Sequence, residues 1–208
     1  MRIEPRQKIV FIGDSITDAG RRDVAVPYGN GYVSMVRQML IARHPSYDLN
    51  LLNRGINGNT VRDLAGRWDR DVIAERPDWV TIMVGINDVW RQFFGDPATA
   101  VFPVEYEATL KLLAHRAIDG GASVILMSPY MIETDHNLPI VQQMTIYGHI
   151  MKRVAGEVGA LYVDIQAAWN AALKVTVPTF WSNDNFHPYG PGHALIAREW
   201  LRAIAFTL

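Results

Sequence analysis

Cysteine is absent from the 208-residue sequence. That excludes disulfides, thiolate-held metals and cysteine nucleophiles, and it leaves the redox compartment open. An excess of charge is missing as well: 20 Lys and Arg stand against 21 Asp and Glu, for a formal net charge of −1. With no basic run or stripe, neither nucleic acid nor an anionic membrane is an expected partner. No apolar segment approaches the roughly 20 residues that span a bilayer. Met1-Arg2-Ile3-Glu4-Pro5-Arg6-Gln7-Lys8 contains no apolar signal core, so a cytoplasmic location is expected. No His-x-His or His-Glu-x-x-His pattern occurs, so neither a metal site nor a cofactor is expected. A glycine-rich phosphate loop is lacking too, because Gly29-Asn30-Gly31 follows no strand pattern and suits a turn and helix start. Repeats, low-complexity tracts and linkers are not visible, and residues 1–208 are expected to form one domain.

What is present is an alternation of short apolar runs with longer amphipathic ones. The expected strands are Lys8–Ile12, Leu49–Asn53, Trp79–Val84, Ser123–Ser128 and Leu161–Asp164. The expected helices are Gly31–Arg43, Thr60–Glu75, Val104–Asp119, Leu138–Val158, Ile165–Leu173 and Gly190–Ala205. Near-continuous apolar strands separated by helices indicate a mostly parallel five-stranded sheet covered on both faces, a three-layer α/β/α sandwich. Thr60-Val61-Arg62-Asp63 has the form of a capping box with Asp in the Glu position. Segments 86–103 and 174–189 are the longest stretches expected to be irregular.

Gly13-Asp14-Ser15-Ile16-Thr17-Asp18 begins where the apolar run Ile9-Val10-Phe11-Ile12 ends. A buried strand leading straight into Gly-Asp-Ser presents a hydroxyl at the carboxyl edge of the sheet, where open α/β folds bind ligands. A serine hydroxyl is a weak nucleophile and needs a base. His187 can serve, with Asp184 three residues earlier accepting its Nδ1 proton and fixing the tautomer. An acyl-transfer oxyanion needs donors, each worth ~3–4 kcal/mol when preorganised. Gly55 and Asn87 follow the second and third expected strands, and the Ser15 N–H adds a further donor. Each residue alone has a plainer reading. Ser15 could be a turn or cap residue, Gly55 a turn glycine and Asn87 a left-handed turn residue. Asp14 suits a role in organising the turn, and Asp88 a helix cap. It is the four segments together, in this order, that point to a serine hydrolase. His44, His115 and His149 fall in or near expected helices as surface or satisfied groups. His136 lies in a loop, and His193 lies six residues past His187 in the last helix.

These four blocks resemble those of the SGNH hydrolases, or GDSL-type esterases. Ser15 in Gly-Asp-Ser, Gly55, Asn87 in Gly-Ile-Asn-Asp and His187 in Asp-x-x-His-Pro match that family's Ser, Gly, Asn and His. The resemblance implies a flavodoxin-like sandwich and an acyl-enzyme mechanism, with Ser15, Asp184 and His187 catalytic and Ser15, Gly55 and Asn87 forming the oxyanion hole. Asn57-Gly58-Asn59-Thr60-Val61-Arg62-Asp63-Leu64, Asp71-Val72-Ile73-Ala74, Pro77-Asp78-Trp79-Val80 and Gly85-Ile86-Asn87-Asp88-Val89-Trp90-Arg91-Gln92 are further similar to intracellular bacterial acetyl-xylooligosaccharide esterases. That likeness implies O-acetylated sugars as substrates and a homo-oligomer. Trp90, Trp181, Arg91 and Arg54 are candidates for sugar contacts, with core, subunit or ion-pair roles as the alternatives. Two rival functions remain. One is a thioesterase or lysophospholipase-like enzyme, with Phe93-Phe94 and Val101-Phe102 lining a long-chain pocket. The other is an inactive sugar-binding or assembly module.

Overall fold

Five short runs rich in Val, Ile and Leu form the sheet of this computed structural model, which describes residues 1–207. They are β1 (Lys8–Gly13), β2 (Asn50–Gly55), β3 (Trp79–Met83), β4 (Ser123–Met127) and β5 (Leu161–Val163). All pairs are parallel and the order is β2-β1-β3-β4-β5. Such strands cannot face water on either side, and every residue of β3 is buried.

The helices are α1 (Ser15–Asp18), α2 (Tyr32–Arg43), α3 (Val61–Asp71), α4 (Ile86–Phe93), α5 (Pro103–Asp119), α6 (Pro139–Val158), α7 (Ile165–Ala172), α8 (Pro178–Trp181) and α9 (Gly190–Ala203). They sort into two layers: α2 packs on α9 and α9 on α7, while α3 packs on α5, α5 on α6 and α6 on α4. Their starts follow local chemistry. Thr60 and Asp63 make a reciprocal capping box on α3, and Pro opens α5 and α6 where its missing N–H costs nothing. Gly159, at φ 72°, closes α6.

One contiguous apolar cluster fills the space between sheet and helices. Phe11 meets Trp200 at 5.2 Å between ring centres, and the buried Trp200 indole donates to Thr81 Oγ1 at 2.9 Å. Burying side chains of this kind contributes about 1.5–3 kcal/mol each. No helix among the described residues is long and apolar enough to cross a membrane.

Three expectations need correction. Segment 86–103 is not irregular throughout, because Ile86–Phe93 is α4, with Ile86 and Val89 buried. The expected helix over Thr60–Glu75 breaks at Val72 into a separate 3-10 turn, Ile73–Glu75, which Arg76 ends in the left-handed region. Segment 174–189 contains α8, and the isolated bridge between Ser182 and Pro188 ties its end into a loop.

Candidate active site

β1 reaches the site through Gly13. A Cβ there would lie 2.2 Å from the Met83 carbonyl oxygen and 2.5 Å from Thr17 Oγ1, so only glycine lets the chain turn so tightly. Asp14 then caps the single turn of α1, its Oδ1 accepting the Ile16 N–H at 3.0 Å. Ser15 is therefore the first residue of a helix, where a backbone N–H has no intrahelical acceptor. Among the described residues that N–H has no partner. Burial pushes the Asp14 carboxyl up to about 7, against the Ile16 N–H, which favours the charged form.

The loop before α9 brings the expected Asp184–His187 pair to Ser15. Ser15 Oγ lies 2.7 Å from His187 Nε2, and His187 Nδ1 lies 2.6 Å from Asp184 Oδ2. Asp184 Oδ1 accepts from the Ser182 hydroxyl at 2.9 Å, the His187 N–H at 2.8 Å and the Phe186 N–H at 3.1 Å. Partial burial pulls this carboxyl upward. The donors on it, led by the His187 N–H and ring, outweigh that and hold it below the ordinary Asp value. The loop is also held from the segment that follows β4. Asn185, at φ 70°, donates its side-chain amide to Glu133 at 2.9 Å, and its carbonyl accepts the Ile132 N–H at 2.7 Å.

The oxyanion donors expected from sequence need one correction. Gly55 is the last residue of β2, opposite Gly13. Its N–H donates to Asn53 Oδ1 at 2.9 Å, and a Cβ on it would sit 2.2 Å from the Asp18 nitrogen. Gly55 is thus a packing glycine, needed so that β2 can lie against α1, and its N–H is already occupied. Gly58 fits the donor role instead. It is half-buried, has φ 78° with open space around its Cα, and its N–H has no partner among the described residues. Asn57 N–H to Asp18 Oδ2 (3.2 Å) ties its loop to α1. Asn87 Nδ2 donates to the Asn59 carbonyl at 3.0 Å, joining α4 to the same loop, and among the described residues its second amide hydrogen has no partner. The loop that carries Gly58 is thus tied on one side to α1, which Ser15 begins, and on the other to Asn87.

Of the candidate sugar contacts, Arg91 is committed elsewhere, to the Gly58 carbonyl at 2.8 Å and the Thr99 carbonyl at 3.4 Å. Arg54 pairs with Glu75 at 2.6 Å. Trp181 donates its indole N–H to Thr176 at 2.7 Å and packs edge-on to Trp169. Those three hold the scaffold. Trp90, half-buried and against Phe94 at 5.9 Å, keeps an uncommitted indole N–H. Phe186, which lies 4.7 Å from the His187 ring, is an aromatic neighbour the sequence reading missed.

Four more groups support the site, of which the sequence reading named His193 and Asp88 but not Asn53 or Arg67. Asn53 uses its amide on the Thr17 and Tyr28 carbonyls at 2.7 and 2.8 Å. Arg67 is buried beneath the site. His193 accepts the Tyr32 N–H on Nδ1 at 3.3 Å, and burial, with nearby His187, lowers it to about 4. Burial also raises Asp88 to about 8. Its Oδ1 accepts the Val61 N–H at 2.9 Å and its Oδ2 has no partner. Among the described residues no group of three or more His, Asp or Glu side chains is placed to hold a metal ion.

Comparison with known proteins bears on the chain as a whole. The family model described as GDSL-like Lipase/Acylhydrolase matches residues 11–195. An acetylxylan esterase of Geobacillus stearothermophilus is 44% identical over 216 residues, spanning 99% of this chain and 97% of that protein. The crystal structure of Axe2, an acetylxylan esterase from Geobacillus stearothermophilus, superposes with a TM-score of 0.96 at 43% identity, covering 100% of this chain and 98% of that one. LAE5, described as an alpha/beta hydrolase enzyme from the metagenome of Lake Arreo, Spain, gives 0.94 at 42% identity, covering 99% and 98%.

Proposed function

The chain belongs to the GDSL-like lipase/acylhydrolase family, and on that premise we propose that it removes O-acetyl groups from short xylan fragments. It is a carboxylic ester hydrolase. The hydrogen-bonded chain from Ser15 through His187 to Asp184 carries the chemical reading, and the full-length likeness to an acetylxylan esterase supports the substrate.

In this reading His187 takes the Ser15 proton as Oγ attacks the acetyl carbonyl. The negative charge moves to the carbonyl oxygen, where the Ser15 and Gly58 N–H groups and the Asn87 amide donate to it. Collapse breaks the bond to the sugar oxygen, which leaves with the proton from His187, and Ser15 keeps the acetyl group. Water gives a proton to His187, attacks the acetyl-serine, and acetate departs as Ser15 recovers its proton. Asp184 stays ionised throughout, holding the imidazole in place and stabilising its cation. Trp90 and Phe186 offer ring faces to the C–H surface of a sugar.

We place the enzyme in the cytoplasm and expect a homo-oligomer, both on its resemblance to intracellular acetyl-xylooligosaccharide esterases. The test is acetate release from acetylated xylooligosaccharides, run beside acetyl and octanoyl nitrophenyl esters with Ser15→Ala as control. Ser15-dependent release from the sugar is the expected result. Turnover confined to the nitrophenyl esters would discard the sugar and leave the hydrolase chemistry standing.

A further inference from the structure

Arg67 lies in the middle of α3, one residue before the fully buried Trp68, and is itself only 9% exposed. A charge so placed must be matched by polar groups, or its burial costs several kcal/mol. Its partners come from separate parts of the site. Nη2 donates to the Gly13 carbonyl at 3.1 Å, two residues before Ser15. Nη1 donates to the Arg54 carbonyl at the end of β2 and to Asp71 Oδ2, both at 2.7 Å. Nε donates to Asn59 Oδ1 at 2.8 Å. Asn59 in turn accepts the Asn87 amide on its carbonyl oxygen and directly follows Gly58. The buried Asp71 carboxylate also receives Arg70 from the solvent side, at 2.7 and 3.1 Å.

We propose that Arg67 is the positioning residue of the oxyanion site, setting the distance between the Ser15 turn and the loop that carries Gly58 and anchors Asn87. The proposal rests on the esterase reading of those residues. Among the described residues Arg67 makes no hydrogen bond to Ser15, His187 or Asp184. It is the planar fork of the guanidinium that spans the end of β1, the end of β2 and the Asn59 loop at once. An ammonium in its place carries the same charge but cannot hold all of them in one plane. Misplacement of donors by about 1 Å can cost about a hundredfold in rate.

The experiment compares Arg67→Lys and Asn59→Ala with the native enzyme on nitrophenyl acetate. Affinity for phenylboronic acid, which forms a tetrahedral adduct on the serine, is measured on the same samples. The expected result is a fall of about 10- to 100-fold in kcat, with KM within about threefold. Boronate affinity falls by a similar factor, and the midpoint of the pH–rate profile does not move. Asn59→Ala, at a half-buried loop position, gives the same readouts should Arg67→Lys fail to fold. A lower melting temperature with unchanged kcat and boronate affinity would overturn the proposal. So would a loss of kcat without a loss of boronate affinity. Ser15→Ala runs alongside: retained turnover or boronate binding there would instead overturn the esterase reading itself.

Discussion

At the scale of single residues, the proposed reaction depends on a chain of two short hydrogen bonds. Ser15→Ala and His187→Ala should each lower kcat by about 10³–10⁶, and the double variant should be little worse than either, because the two act as one unit. Losses that multiply in the double variant would break that assignment. Asp88 makes a different prediction. Its carboxyl is raised from 3.8 to about 8 by burial, so between those values the folded protein keeps a proton that the unfolded chain releases. Stability then falls as pH rises through that window, by about 1.4 kcal/mol per unit for such a group. Asp14, raised to about 7, adds to the same trend below its own value. Asp88→Asn keeps an acceptor for the Val61 N–H and has nothing to ionise. Its melting temperature relative to native should climb steadily from pH 5 to pH 8. Parallel curves for the two proteins would show that Asp88 is ionised in the fold.

At the scale of elements, the glycine that ends β2 and the one three residues later separate packing from chemistry. Gly55→Ala forces a Cβ to 2.2 Å from the Asp18 backbone nitrogen. Overpacking against rigid backbone costs about 1–3 kcal/mol or more, which lowers the melting temperature by roughly 2–4 °C per kcal/mol in a chain of this size. Gly58→Ala meets open space and pays only for its left-handed φ of 78°, about 1–2 kcal/mol. Its activity should fall further than its stability explains, whereas Gly55→Ala should lose stability first. Calorimetry and kcat on the same two samples decide this. Sequence alone could not choose between these glycines, because a strand end next to Gly-x-x-Gly allows either to approach a ligand. The five strands and six of the helices were legible within a few residues, since their apolar periods register. Single-turn α1 and α8 were not, having four residues each over which a helical period cannot be told from a loop. Nor was α4, as long as α7, because its first turn carries Asn87, which reads as a turn residue after a strand. Arg67 was missed because an arginine in the charge-rich stretch Val61–Asp71 reads as solvated. Only its position three residues after Leu64, on the buried stripe, hinted otherwise.

At the scale of the whole molecule, the distribution of apolar surface bears on which esters can be used. The long-chain alternative needs an apolar channel at the site. Phe93-Phe94 and Val101-Phe102 were its candidate walls: the three Phe rings, at and beyond the end of α4, are 40%, 65% and 56% exposed, while Val101 is buried in the core. An apolar groove of about 540 Å³ lies between α2 and α9, among residues such as Met35, Met39, Ala197 and Leu201. It includes none of Ser15, Gly58, Asn87 or His187. An octanoyl chain attached to Ser15 would therefore stay largely in water. It would forgo most of the ~0.8 kcal/mol that each buried methylene could contribute. Acetyl esters should accordingly exceed octanoyl esters in kcat/KM by at least about tenfold, with leaving group and pH held constant. Sedimentation of the same sample reports whether the 23.4 kDa chain runs as a multiple of its mass, and this bears on the chain-length result. If octanoyl esters are preferred by the assembled form, a neighbouring copy must complete a channel at Phe94 and Phe102. If they are preferred by a monomer, the acyl chain must open a path that the resting fold keeps closed.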